Sequence, residues 1–238
     1  MIKLIITDFD GVILESEPAK DEGFRNCFAQ FTDHIDTIMA YHLANPTVSR
    51  YEKIRVIYED ILGKNRSAAE HDEAGRRLND SIFSAVMKCP EVPGALNALK
   101  TFSRLIPICV VSGTPVEELK RVLNARGLTQ YFDGAFSPAP DKGTIVRQLL
   151  TKYDVSGEQA VLIGDTNGDL VAAQGNRVLF IARRNSMEFT GPRFCEIDDL
   201  TALADILRID TANGTVSIDC PVMPVTVPKC VTTGTKRQ

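Results

Sequence analysis

Four short, almost unbroken apolar runs punctuate the chain: Ile2–Thr7 (interrupted only by Lys3), Leu105–Val111, Ala160–Ile163 and Val178–Ala182. Runs of this length and density suit strands buried on both faces of a parallel sheet. Between them the spacing of apolar positions predicts helices over Gly94–Phe102, Pro115–Arg126, Gly143–Lys152 and Asn167–Gln174. The first stops ahead of Pro107, the second at Gly127 and the last at Gly175, as helix ends do. Alternating strands and helices imply an open α/β sheet joined by right-handed crossovers. In such sheets the ligand site lies beyond the carboxyl ends of the strands, where Asp8, Ser112 and Asp165 fall.

One long segment breaks the alternation. Residues 15 to 89 hold no convincing strand, only helical patterns over Pro18–Phe31, Ile35–Ala44, Arg50–Leu62 and Ala68–Lys88. In the first of these, Phe24, Cys27, Phe28 and Phe31 repeat at helical spacing and form one apolar face. This segment reads as a helical domain inserted after the first strand. The expected organisation is therefore a core of residues 1–14 plus 90–208, an insert of 15–89, and an extension of 209–238. The extension is rich in Thr, Val and Pro, and a hairpin of Thr215–Asp219 with Val222–Val227 is expected within it.

Composition narrows the function classes. A net charge of -4 without a basic stripe leaves no electrostatic footprint for nucleic acid. No apolar run reaches the roughly 18 residues of a membrane helix, and a first strand beginning at residue 2 leaves no room for a signal peptide. The six cysteines (27, 89, 109, 195, 220 and 230) show no paired spacing. The expectation is a cytoplasmic protein with all six thiols reduced, and without a nucleic-acid or membrane partner.

The chemistry is concentrated in four stretches that occur in order: "DFDGV" (Asp8, Asp10), "VVSGT" (Ser112, Gly113), "APDKG" (Lys142) and "IGDTNGD" (Asp165, Asp169). Carboxylates converging on one point repel one another in a low-dielectric pocket unless a cation joins them. An all-oxygen set favours a hard ion such as Mg²⁺. A lysine can offset the remaining charge. A serine hydroxyl and a glycine amide without a Cβ in the way can hold a phosphate oxygen.

Taken together, the four stretches resemble the motifs of the haloacid dehalogenase superfamily, including its phosphoglycolate phosphatase and beta-phosphoglucomutase-like members. The resemblance covers residues 1–208 and implies a Rossmann-like parallel-sheet core with an inserted α-helical cap. It implies that Asp8 binds Mg²⁺ and attacks phosphorus to give an aspartyl-phosphate. Asp10 would protonate the leaving oxygen and then activate water, while its backbone carbonyl completes the metal shell. Asp165 resembles the second carboxylate ligand. Asp169 would hold a metal-bound water or orient Lys142. The chain departs from the family pattern at Lys142, which is followed by glycine where the family often has proline.

Substrate choice must come from outside these motifs, and the insert is the natural source. Ser49 and Glu52 form a capping-box pattern that places a helix start at Arg50, with Lys53 one turn on and His42 just upstream. A helix N-terminus beside two cations suits an anion. Arg50, His42 and Lys53 are therefore expected to touch the substrate, whereas His34 and His71 read as surface residues. The implied function is a Mg²⁺-dependent phosphatase of a small sugar or hydroxy-acid phosphate. A beta-phosphoglucomutase-like mutase and a non-catalytic phospholigand-binding protein are the alternatives. A dehalogenase would need neither the acid at position 10 nor a metal.

Overall fold

A computed structural model describes residues 1–45, 48–137, 141–185, 188–191, 195–210 and 212–219. The chain divides into two compact units. One comprises residues 1–13, 92–116 and 130–238, and the other comprises residues 14–91 and 117–129.

The first unit is built on a six-stranded parallel sheet. Its strands are β1 (Leu4–Thr7), β2 (Ile108–Val111), β3 (Gly134–Phe136), β4 (Ala160–Gly164), β5 (Leu179–Arg183) and β6 (Cys195–Ile197), in the spatial order β3-β2-β1-β4-β5-β6. The helices attached to it are α5 (Ala95–Phe102), α7 (Lys142–Lys152), α8 (Asn167–Gly175) and α9 (Leu203–Ile206), labelled by their place in the whole chain. Successive strand residues point to opposite faces, and each face has its own cover. Leu4 and Ile6 join Leu162, Phe180, Val146, Leu149 and Leu170 in a core beneath α7 and α8. Ile5, Ile108 and Ile163 meet Leu99 and Phe102 of α5 and Leu203 of α9 on the other face. This two-sided burial explains why the strand sequences read as continuous apolar runs rather than alternating ones.

Strands β3 and β6 have three residues each and lie at the sheet edges, too short to leave an apolar run in the sequence. The chain then forms β7 (Leu207–Asp210) and β8 (Thr215–Ile218), an antiparallel pair. This corrects the expected hairpin: Thr215–Ile218 pairs backward with Leu207–Asp210, through a turn at Ala212–Gly214. The other expected strand, Val222–Val227, lies outside the described residues. Ile2 donates its N–H to the Val216 carbonyl at 2.7 Å, which ties this hairpin to the start of the chain.

The second unit is helical: α1 (Ser16–Phe28), α2 (Ile35–Ala44), α3 (Arg50–Val56), α4 (Ala68–Val86) and α6 (Val116–Ala125), of which residues 117–125 cluster here. Phe24 and Phe28 are buried as their spacing suggests, while α1 ends at Phe28 and leaves Phe31 in the following turn. Ser49 caps α3 through the Glu52 N–H. The expected helix over 50–62 changes after Val56 into a π-helical turn, Ile57–Ile61. Periodicity cannot distinguish such a bulge from continued α-helix.

His71, expected at the surface, is instead buried, its ring 4.0 Å from that of Tyr51. Cys27, Cys89 and Cys109 are thiols outside any disulfide, whereas Cys195 is disulfide-bonded. The expectation of six reduced thiols therefore fails at Cys195. No helix among the described residues is long and apolar enough to cross a membrane.

Candidate active site

The strand order changes direction at β1: β2 and β3 lie to one side of it, and β4, β5 and β6 to the other. Such a switch opens a crevice at the carboxyl ends of the adjoining strands. Asp8 follows β1 directly, Ser112 follows β2, and Asp165 follows β4. These three strands are neighbours, and so their terminal residues converge. The Asp8 N–H still bonds the Ile163 carbonyl at 2.9 Å, which fixes the first carboxylate to the sheet.

Asp8, Asp165 and Asp169 are all buried, and each offers a carboxylate oxygen within 4.8 Å of the others. Lys142 opens α7, where Asp141 caps the helix by accepting the Thr144 N–H. Its Nζ donates to Asp8 Oδ2 at 2.8 Å and to Asp169 Oδ1 at 2.5 Å. The glycine after Lys142 thus does not displace it: a good N-cap positions the lysine in place of a proline. Asp169 is held further by Thr166, whose N–H and hydroxyl both donate to Oδ2. Both Asp169 oxygens are thus engaged, Oδ1 by Lys142 and Oδ2 by Thr166. Gly164 makes room for this arrangement, since a Cβ there would lie 2.4 Å from the Asp169 Cβ.

Charge crowding shows in the titration. Burial and the neighbouring Asp169 charge push Asp8 well above the ordinary carboxylate range; Lys142 pulls it down, and Asp10 adds to the rise. For Lys142, burial works against the ammonium, but Asp8 and Asp169 outweigh it and raise the pKa above the usual lysine value. One ammonium is not enough for the carboxylates around it. The chemistry of the donor set, buried and oxygen-only, fits a hard divalent cation held between Asp8 and Asp165.

Asn185, absent from the sequence reading, and Gly11, the glycine of the "DFDGV" stretch, support the same point. Asn185, just after β5, donates Nδ2 to the Asp165 carbonyl at 2.9 Å and to its Oδ2 at 3.1 Å. Gly11 adopts φ +69°, and a Cβ there would fall 2.1 Å from Asp165 Oδ2. The glycine is required by both its backbone conformation and its neighbour. Asn185 left no sequence signal, because it reaches the site only through the strand order.

Asp10 sits on the other side of this loop. Ser112 Oγ donates to Asp10 Oδ2 at 3.0 Å, and Thr114 Oγ1 donates to the same oxygen at 2.7 Å. Ser112 therefore bonds Asp10 directly, a contact the sequence reading did not include. A Cβ at Gly113 would meet nothing within 4 Å. Thr114 also escaped the sequence reading, although it closes the quoted "VVSGT" stretch.

His42, Arg50 and Lys53 belong to the helical unit and have partners there. Arg50 makes a two-point ion pair with Glu118, at 2.7 and 3.2 Å, and donates to Asn79 Oδ1 at 2.9 Å. Lys53 is buried and donates Nζ to His42 Nδ1 at 2.9 Å and to the His42 carbonyl at 3.1 Å. An ammonium has only protons to give, so His42 Nδ1 is the acceptor, and its Nε2 donates to Asp21 Oδ1 at 3.0 Å. The Phe24 ring stacks on His42 at 3.8 Å. Burial lowers the pKa of both His42 and Lys53, which keeps this imidazole neutral.

A family model described as haloacid dehalogenase-like hydrolase matches residues 2–176. The chain belongs to the haloacid dehalogenase-like hydrolases. No curated protein matches it. Solved structures of this hydrolase fold are similar over most of the chain. One described as a beta-phosphoglucomutase from Thermotoga maritima has a TM-score of 0.69 at 20% identity, covering 87% of this chain and 100% of its own. CbbY from Rhodobacter sphaeroides, in complex with phosphate, has a TM-score of 0.63 at 20% identity, with 85% and 96% covered. The hydrolase YfnB from Bacillus subtilis, bound to magnesium, has a TM-score of 0.67 at 15% identity, with 86% and 98% covered. At these identities the likeness establishes a shared fold.

Proposed function

We propose that this hydrolase is a Mg²⁺-dependent phosphatase that acts on a small phosphorylated metabolite, a sugar or hydroxy-acid phosphate. The observation that carries the reading is the pairing of two unlike carboxylates two residues apart. Asp8 sits among carboxylates beside Lys142, while Asp10 is held by two hydroxyls and away from the lysine's hydrogen bonds. One environment suits a nucleophile stabilised by cations, the other an acid and base. The phosphate bound by CbbY and the magnesium bound by YfnB are consistent with this reading.

Asp8 and Asp165 would hold the metal, with the backbone carbonyl of Asp10 as a third ligand, and the ion would neutralise phosphoryl oxygens when bound. A carboxylate oxygen of Asp8 attacks phosphorus as the ester P–O bond breaks, forming an aspartyl-phosphate. Asp10 gives its proton to the departing oxygen. As a carboxylate, Asp10 then takes a proton from water, whose oxygen attacks the same phosphorus. The Asp8–phosphorus bond breaks and inorganic phosphate leaves. Lys142 stays charged throughout, stabilising the extra negative charge of each transition state. The amide of Gly113, with no Cβ beside it, would hold a phosphoryl oxygen.

The test is phosphate release from a panel of phosphorylated metabolites, with Mg²⁺ and with chelator. Release with Mg²⁺ that stops in chelator is expected. Turnover that persists in excess chelator would remove the metal from the scheme. Formation of an isomeric phosphosugar without release of phosphate would make the protein a mutase instead.

A further inference from the structure

We propose that Asn176 is a positioning residue for Lys142, acting through the first turn of α7. The inference rests on the phosphatase reading, which gives Lys142 its charge-stabilising part, and it adds a residue outside the four motifs.

The Lys142 ammonium reaches two carboxylates at once, Asp8 Oδ2 at 2.8 Å and Asp169 Oδ1 at 2.5 Å. A flexible four-carbon stem separates that ammonium from the backbone, so its aim depends on where the backbone is held. The Asp141 cap fixes the start of α7. It does not fix where that start lies against α8.

Asn176 supplies the missing restraint. It follows α8 directly, and its Nδ2 donates to the Gly143 carbonyl at 2.9 Å and to the Ala172 carbonyl at 2.8 Å. Both partners only accept, so the nitrogen end of the amide must face them, and both of its protons are used. Ala172 lies among the last four residues of α8, whose carbonyls lack partners within the helix. Gly143 is the neighbour of Lys142. One amide thus joins the end of α8 to the peptide beside the lysine.

The approach at this point is close. A Cβ on Gly143 would lie 3.7 Å from the Ala172 Cα, 3.5 Å from Asn176 Nδ2 and 3.1 Å from Asp141 Oδ1. The same helix carries Asp169 in its first turn. α8 therefore holds Lys142 at both ends of its side chain, the base through Asn176 and the head through Asp169. With base and head set by one rigid element, the ammonium is aimed at Asp8. A shift of about 1 Å in a reacting group can cost 10²-fold in rate, so loosening one of these restraints forfeits part of that factor.

The experiment compares the parent with Asn176→Ala and with Asn176→Asp, which keeps the shape and loses both donors. Asn176 is half-buried, so neither variant opens a core cavity. On p-nitrophenyl phosphate with Mg²⁺, each variant is expected to lower kcat about 10-fold with KM within about 2-fold, because Lys142 acts on charge that develops in the transition state. The second arm needs no substrate. Urea unfolding in chelator is followed for the parent, Asn176→Ala, Lys142→Met and the double variant. If Asn176 acts through the lysine, its loss costs less once the lysine is gone. The unfolding constant of the double variant should then fall short of the additive value by about 3-fold or more. Additive costs, or a parent kcat in both variants, would overturn the assignment and leave Asn176 as a helix cap. A parent that releases no phosphate with Mg²⁺ from this ester or from the metabolite panel would overturn the phosphatase reading, while the urea cycle would still decide whether Asn176 positions Lys142.

Discussion

Replacing Lys142 with methionine keeps the length of the side chain and removes its charge. Lys142 Nζ bonds Asp8 and Asp169, and the three side chains are 14%, 9% and 0% exposed. Removing one member of a buried ionic cluster costs about 3–5 kcal/mol, because charge is left uncompensated in a poor solvent. For a chain of this size each kcal/mol moves the melting temperature roughly 2–4 °C. In metal-free buffer Lys142→Met should therefore melt about 6–20 °C below the parent. The deficit should also depend on pH. Asp8 is already raised by burial and by Asp169, and the variant loses the ammonium that pulls it down. With its folded pKa above its unfolded one, the neutral carboxyl favours folding. That contribution is present at low pH and is lost as pH rises through the folded pKa. The deficit should be smallest on the acid side and grow as pH rises through the folded pKa of Asp8. Thermal unfolding followed by circular dichroism in chelator across this range measures it, and added Mg²⁺ should recover part of the loss. A variant that melts with the parent at every pH would show that the lysine does not hold the carboxylates together.

Asp8→Asn should abolish phosphate release yet melt above the parent in metal-free buffer at neutral pH, the difference closing toward acid as the parent's Asp8 becomes protonated. The same variant should lose most of the Mg²⁺-induced stabilisation seen in the parent by scanning fluorimetry; an equal shift in both would remove Asp8 from the metal site. Arg50→Ala breaks a partly exposed two-point ion pair with Glu118 (28% and 16% exposed) and should cost about 1 kcal/mol of stability in chemical denaturation. Its hydrolysis of p-nitrophenyl phosphate should stay at the parent rate, while a fall confined to a metabolite substrate would assign Arg50 to substrate binding.

Much of this was legible from residue order alone. Four apolar runs marked the strands from β1 to β5 apart from β3, because burial on both faces leaves no polar alternation. Asp8, Ser112 and Asp165 could be set at strand ends, since each follows such a run directly. Ser49 with Glu52 gave the start of α3, a capping device contained within four residues. Local rules suffice where the interaction itself is local.

Where the sequence was silent, the partners were far apart in the chain. Lys142 reaches Asp8 across 134 positions, and Arg50 reaches Glu118 across 68. Only folding decides such pairs. Asn185 and Thr114 carried no signal because an amide or a hydroxyl gains a role from what it faces. The short edge strands β3 and β6 were set by pairing with neighbours already in place. His71 was buried by the packing of α4, although nothing in its surroundings along the chain required it. Residue type and spacing fix which groups end each strand, whereas the strand order decides which ends meet. Here β1 between β2 and β4 is what brings Asp8, Ser112 and Asp165 to one crevice.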